Sequence, residues 1–443
     1  MAEINTTVKI LDEINPDNAG TGEAYLAYDG LATAVDHYRA TNQLRGQKVW
    51  DAEPGSTAEE SKARQLAFEY MVRTAEKSVH ARPESRDLWA DRYTQASIEL
   101  YGQPEVTTAA EILREEYDTL VALRGHGTVS QKHLNLVLDA YRPSAELASR
   151  NPGAAHAERL REQNAVWQYG RVLKDRYQPL FDMVDTADKD HFGPADLQAV
   201  LTDNVTLLAE REDPAWSRWT VPLKEGTSLS VNSKEERIKV ADKREPADVA
   251  AVKGLVAHEV LVHALRAKNG KKTGISKLGT GLAGSVDTEE GLGILSEYAI
   301  NGVMPDKAVD RYVDISLALG VVDGRQYTRH ELFEVAYARS LVRAQARGET
   351  AIDTASLART TWVHVDRIYR GGTGGPEAGR QAVFTKDIAY YAGYKQMAGF
   401  IADKLEEGYS IEQIFDCLSS AKFNPLDERH REEIAAAGIP TIW

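Results

Sequence analysis

His258, Glu259 and His263 fall together in Gly254-Leu255-Val256-Ala257-His258-Glu259-Val260-Leu261-Val262-His263-Ala264-Leu265-Arg266. Imidazoles are the commonest side-chain ligands for a transition-metal dication, and a carboxylate beside the first is placed to take a proton from activated water. In the common zinc-peptidase motif the two histidines are four residues apart, so both leave one face of a helix. Here they are five apart, and five residues turn an ideal α-helix by about 140°. An unbroken α-helix would splay the two rings. A π-turn, closed by an i→i+5 hydrogen bond, would return them to one face, and such bulges often sit at functional sites. The spacing therefore predicts a local distortion between His258 and His263.

A catalytic zinc needs a third protein ligand and an open position. The best candidate lies in Asp287-Thr288-Glu289-Glu290-Gly291-Leu292, where apolar periodicity resumes, and Glu290 is expected in the first turn of that helix. His258, His263 and Glu290 are thus the metal-ligand set, with Glu259 as general base. A plainer reading stands beside this one. A His-Glu pair arises in apolar helices without function, and Asp287 with Glu290 also fits a helix capping box.

Short, β-leaning runs precede this motif: Trp219–Leu223, Ser228–Val231 and Arg237–Val240, punctuated by Gly226 and Asn232-Ser233. They predict a small sheet leading into a helix at about Asp248, the one that carries the histidines. Upstream, Leu88, Trp89, Tyr93, Ile98 and Tyr101 recur at helical spacing until Gly102-Gln103-Pro104, as do Ile112, Tyr117, Leu120 and Leu123. A longer helix is expected from Ala154 to Met183. The fold class read from this is α+β, mostly α: an arm at 1–22, a helical domain at 23–213 and a zincin-like catalytic domain at 214–443, its small sheet beside the active-site helix.

The net charge of −14 argues against a nucleic-acid partner, since phosphates repel such a surface. The single cysteine, Cys417, rules out an internal disulfide and fits a reducing compartment. Met1-Ala2-Glu3-Ile4-Asn5 lacks the features of a secretory leader. No run of about 18 apolar residues suggests a membrane span. The expectation is a cytoplasmic protein.

The residues around the metal motif resemble the tyrosine carboxypeptidase-like family, which includes the microtubule-associated tyrosine carboxypeptidases and bacterial proteins named for a Gln-Glu-Gly-Leu-Ala motif. The family's His-Glu-x-x-x-His matches the five-residue interval. Its Asn-Gly turn is similar to Asn269-Gly270, its Gly-Leu-Ala-Gly to Gly281–Gly284, and its acidic motif to Glu289–Gly293. Arg367-Ile368-Tyr369-Arg370-Gly371 and Phe384–Tyr390 resemble two later blocks, and Glu99–Pro104 an upstream one. Departures occur: Leu261-Val262 stand where the family has Gly-Thr, Glu289 replaces glutamine, Gly293 replaces alanine, and Gly372–Ala382 is an insertion. Family members remove a C-terminal tyrosine from α-tubulin. The resemblance therefore implies a Zn2+-dependent metallocarboxypeptidase acting on a protein or peptide C-terminus. It also implies a cation for the terminal carboxylate, with Arg367, Arg370 and Lys386 as candidates, and an oxyanion donor, Tyr390. Surface pairing of these four, such as Lys386 with Asp387, is the alternative. A zinc endopeptidase or aminopeptidase, or a non-catalytic zinc-stabilised regulatory module, are the other readings of the same motif.

Four further signals are declined. Gly279-Thr280-Gly281-Leu282-Ala283-Gly284 has the dinucleotide spacing but follows Lys271-Lys272-Thr273-Gly274, which cannot be a buried strand, so a mobile loop is expected. Asp188–Gly193 resembles a calcium loop, yet Ala199 stands where a glutamate belongs. The basic run Arg339–Arg347 is read as one solvated helix face, and Cys417 as core.

Overall fold

A computed structural model describes residues 86–148, 152–187, 189–226, 228–282, 284–369 and 381–443. The expected arm at 1–22, residues 23–85, Arg370 and nearly all of the insertion lie outside the described residues. In chain order the helices are α1 Arg86–Tyr101, α2 Val106–Val121, α3 Gln131–Ala148, α4 Pro152–Asp185, α5 Pro194–Arg211 and α6 Val249–Leu255. A π-helical segment, Val256–Ala264, continues α6 and runs into α7 Leu265–Lys272. Then come α8 Ser276–Thr280, α9 Val286–Asn301, α10 Asp306–Leu319, α11 Arg329–Ala346, α12 Thr354–Ile368, α13 Ala389–Glu406, α14 Ile411–Ser419 and α15 Glu428–Ala436. The strands are β1 His191–Phe192, β2 Leu223–Lys224, β3 Ser230–Asn232, β4 Arg237–Ala241 and β5 Ala247–Asp248. The described residues are mostly helical with two small sheets, the α+β class expected.

Two units form, each from two stretches of chain: 1–151 with 310–388, and 152–309 with 389–443. The division at 213/214 read from the sequence falls inside the second unit. The reason is the core: α4 residues Val172 and Phe181 and α5 residues Leu201 and Leu208 share one buried cluster with Val260, Leu295 and Ile414.

In the first unit, α2 packs on α3, α3 on α11, and α11 on α12. A buried ion pair crosses it. Arg339, 1 % exposed, donates to both oxygens of Asp314 at 2.8 and 2.7 Å and to the Tyr141 hydroxyl at 2.8 Å. His364 meets the same carboxylate at 2.7 Å. This corrects the reading of Arg339–Arg347 as a solvated face: α10 presents Asp310 and Asp314 to that helix, and a buried guanidinium follows its carboxylates inward.

In the second unit, α4 bends at Tyr177 (φ −125°), two residues before Pro179, whose ring removes a helical N–H. The three-stranded sheet has the order β2-β4-β3, with β3 and β4 antiparallel (Val231 opposite Ile238) and β2 parallel to β4. Asn232 closes the β3–β4 turn by accepting from the Lys234 and Glu235 N–H groups at 3.1 Å. Ile238 and Val240 point from this sheet into the core that holds the π segment. The second sheet pairs β1 with β5 and delivers the chain to Asp248, which caps α6 by accepting from Ala251 N–H at 2.7 Å. The helix start expected at Asp248 is thereby found.

Candidate metal centre

Val256, Val260, Leu261 and Val262 are all buried, and burial of each such side chain stabilises by roughly 1.5–3 kcal/mol. That packing holds the chain in a conformation poorer than an ordinary α-helix. The widened backbone spans Val256–Ala264, longer than the single turn the spacing required. It returns residues five apart to one face. The His258 and His263 rings meet edge to face with centroids 4.8 Å apart, and their Nε2 atoms are 3.1 Å apart.

Glu290 comes from α9. That helix opens at Val286, with Ser285 as an N-cap that makes no side-chain bond, so Glu290 lies just past the first turn and the capping-box alternative is not realised. Its Oε2 is 3.7 Å from His258 Nε2. One ligand atom from each of His258, His263 and Glu290 lies within 4.8 Å of the others, the one such cluster found among the described residues. Glycines let α9 come this close. A Cβ on Gly293 would stand 2.4–2.7 Å from three atoms of the His258 ring. A Cβ on Gly291 would stand 2.2 Å from the Gly393 carbonyl carbon of α13. The departure from the family's alanine at Gly293 thus goes with an imidazole that occupies the methyl's place.

Each imidazole is held from behind by a carboxylate. His258 Nδ1 is 2.6 Å from Glu297 Oε1, and His263 Nδ1 is 3.0 Å from Glu289 Oε2. With Nδ1–H donated backwards, both Nε2 lone pairs point at the same spot, which repels unless a proton or a metal ion sits between them. Two nitrogens bound at ~2.0–2.1 Å to a tetrahedral ion would be ~3.3 Å apart, close to the separation found. Without an ion, burial disfavours a charged His258, but the carboxylates of Glu290 and Glu297 overcome it and raise its pKa to about 10. Burial likewise opposes ionisation of Glu290 and Glu297, yet chiefly the neighbouring His258 ring brings each down to about 2. Glu289 is held well below the ordinary carboxylate range: burial works against it, and the Arg266 and Lys422 charges prevail. The residues fit a dication: two neutral nitrogen donors, one carboxylate oxygen, and outer carboxylates that fix the rings.

Glu259 follows His258 and is half-buried, with no hydrogen bond or ion pair among the described residues. Tyr390 stands near the start of α13, three residues before Gly393, and packs against the core. Two anchor candidates belong to the other unit. Arg367 forms an ion pair with buried Asp387 (Nη2 to Oδ1, 2.8 Å), while the Lys386 side chain has no partner among the described residues. Two local expectations are corrected. Asn269-Gly270 is not a turn but lies within α7, where Gly270 admits the Leu278 carbonyl, 2.0 Å from where a Cβ would be. Gly279 and Thr280, read as the start of a mobile loop, instead close α8, which packs on α7. Sequence reasoning missed Glu297, although it lies seven residues after Glu290 and so on the same helix face. It gave no role to Arg266 or Lys422, for which no local pattern gave a signal.

Neither curated proteins nor solved structures yield a match to the chain. Residues 178–318 match the family model described as microtubule-associated tyrosine carboxypeptidase. The Glu99–Pro104, Arg367–Gly371 and Phe384–Tyr390 blocks lie outside that segment, which takes in His258, Glu259, His263 and Glu290. On about a third of the chain, then, and on all four residues of its metal motif, the match supports a tyrosine carboxypeptidase-like family for this protein.

Proposed function

We propose that the chain is a zinc-dependent metallopeptidase, a carboxypeptidase that removes a C-terminal residue from a protein or peptide. The observation that carries this is the pair of Nε2 atoms 3.1 Å apart, each backed by a carboxylate on Nδ1 and facing Glu290. Three protein ligands rather than four favour a catalytic over a purely structural ion, and a zincin-like arrangement with the base next to the first histidine. Zinc held there would supply Lewis acidity to water and to the scissile carbonyl. Glu259 takes the proton of the attacking water and passes it to the departing amine. Tyr390 is the proposed hydrogen-bond donor to the oxyanion. Arg367, Arg370 and Lys386 are the proposed partners of the substrate's terminal carboxylate. With Arg367 engaged by Asp387, Lys386 is the first of these to test. A cytoplasmic location is part of the proposal. Cys417 is buried and in no disulfide, and no described helix is long and apolar enough to cross a membrane.

The test is metal analysis joined to digestion of a peptide library by wild type and Glu259→Gln. The expected result is stoichiometric zinc in both and hydrolysis only by wild type. Protein that binds no zinc, or a variant with full activity, overturns the proposal. Cleavage polarity is read by amidating the C-terminus of each substrate, which should abolish its hydrolysis. Indifference to amidation favours an endopeptidase or aminopeptidase.

A further inference from the structure

Glu289 is 7 % exposed, yet it is the most heavily engaged carboxylate near the metal centre. Arg266 holds its Oε1 through Nη1, and Oε2 receives Lys422 Nζ at 2.8 Å and His263 Nδ1 at 3.0 Å. Two further donors of Arg266 go to the chain around Lys422. Its Nε–H goes to the Ala421 carbonyl at 2.9 Å and Nη2 to the Phe423 carbonyl at 2.8 Å. Lys422 is fixed at its backbone too: its N–H donates to the Leu278 carbonyl at 2.9 Å, and its carbonyl accepts from Leu282 N–H at 3.0 Å. Upstream, Asn269 Nδ2 donates to the Ser419 carbonyl at 2.9 Å. Residues 419–423 are therefore bonded at several points to the chain that follows the π segment.

The arrangement on the other histidine is weaker. Glu297 has Lys307 at 2.8 Å, and that lysine side chain is 43 % exposed, against 1 % and 10 % for Arg266 and Lys422. A buried carboxylate is costly unless paired, and two buried cations are costly without it. Glu289, Arg266 and Lys422 satisfy one another, and the product is an immobile acceptor aimed at His263 Nδ1. Such an acceptor fixes the tautomer and the orientation of a metal-binding imidazole.

We infer that Lys422 and Arg266 act through Glu289 as positioning residues for His263, so that the 419–423 segment is a working part of the metal centre. The inference rests on the zinc reading above. Its test measures zinc affinity by chelator competition, and apo-protein melting, for wild type, Glu289→Gln, Lys422→Met, Lys422→Gln and Lys422→Arg. Loss of an outer partner of this kind weakens metal affinity by about 10–100-fold. That loss is expected for Glu289→Gln and Lys422→Met in their folded forms, while Lys422→Arg stays near wild type. Should Lys422→Met fail to fold, the order Lys422→Arg tighter than Lys422→Gln serves instead. Variants that melt lower as apo-proteins but bind zinc as wild type does would show a structural brace only, and overturn the inference. Wild-type protein with no zinc affinity would instead remove the metal reading, and this inference with it.

Discussion

Gly291→Ala places a methyl where α9 crosses α13, and the contact there is backbone. The new Cβ would lie 2.2 Å from Gly393 C, 2.3 Å from its O and 2.7 Å from its Cα. Ordinary carbon–carbon contact is ~3.5–4.0 Å, so the shortfall is more than ~1 Å. No rotamer relieves it, because none of the three atoms belongs to a side chain. The two helices must separate or α9 must shift. Overpacking of this kind costs ~1–3 kcal/mol and occasionally more, against ~0.8–1 kcal/mol returned by helix propensity when alanine replaces glycine. The expected net is a destabilisation of roughly 1 kcal/mol, and more where the backbones cannot part. Metal affinity should suffer further, since a ligand site tolerates displacements of only ~0.2 Å and Glu290 is the neighbouring residue. Gly399→Ala is the internal control. It lies in the same helix α13, and its Cβ would meet nothing within 4 Å, so only the propensity gain remains, ~0.5–1 kcal/mol of stabilisation. The assay is urea unfolding with and without zinc, together with a zinc titration of each protein. A Gly291→Ala protein that is as stable as wild type and binds zinc equally would refute the claim that this glycine contact sets the position of Glu290.

Removing the metal with a chelator should lower the unfolding free energy by ~2.7 kcal/mol relative to protein at zinc of 100 times Kd; identical unfolding curves would mean that no ion is bound to the native state. Gly293→Ala should contrast with Gly291→Ala, because its methyl meets the His258 side chain rather than backbone: zinc affinity falls at least tenfold while apo stability changes by less than ~1 kcal/mol, and an unchanged affinity would count against the ring position. Asp314→Asn removes the bidentate carboxylate of buried Arg339, leaving it Asp310 alone, and should cost ~3–5 kcal/mol near neutral pH. Burial opposes the Asp314 charge, but Arg339 and then His364 hold its pKa well below the ordinary range. Its stabilisation is therefore complete above the unfolded pKa of ~3.9 and fades only as pH falls further through the folded value. The gap between wild type and variant should narrow only below about pH 4; a gap that already closes between pH 7 and 5 contradicts this.

What the chain disclosed before it folded, and what it withheld, follows from the distance over which each contact acts. The phase error between His258 and His263 was legible because a helix repeats within a few residues, so the need for a π segment could be computed locally. The third member of the cluster, Glu290, was legible for the same reason: a carboxylate at the head of the next apolar helix can turn inward. Glu297 sat on Glu290's helix face and was available to the same argument. Gly270 was misread as a turn, and the role of Gly291 was not visible, because a glycine can mark a turn or a close approach and only the neighbour distinguishes them. Gly270 faces the Leu278 carbonyl and Gly291 faces Gly393, a residue that no local pattern brings to it. Charges misled similarly. Arg339 reads as solvated until Asp310 and Asp314 are set opposite it. The partners of Glu289 show the limit most clearly. Arg266 is one helical turn past His263, yet Lys422 reaches the same carboxylate from beyond α14. A ligand set can be local in sequence, whereas the charges that hold it ready are gathered by the fold. Substitutions that spare His258, His263 and Glu290 should therefore still be able to empty the site.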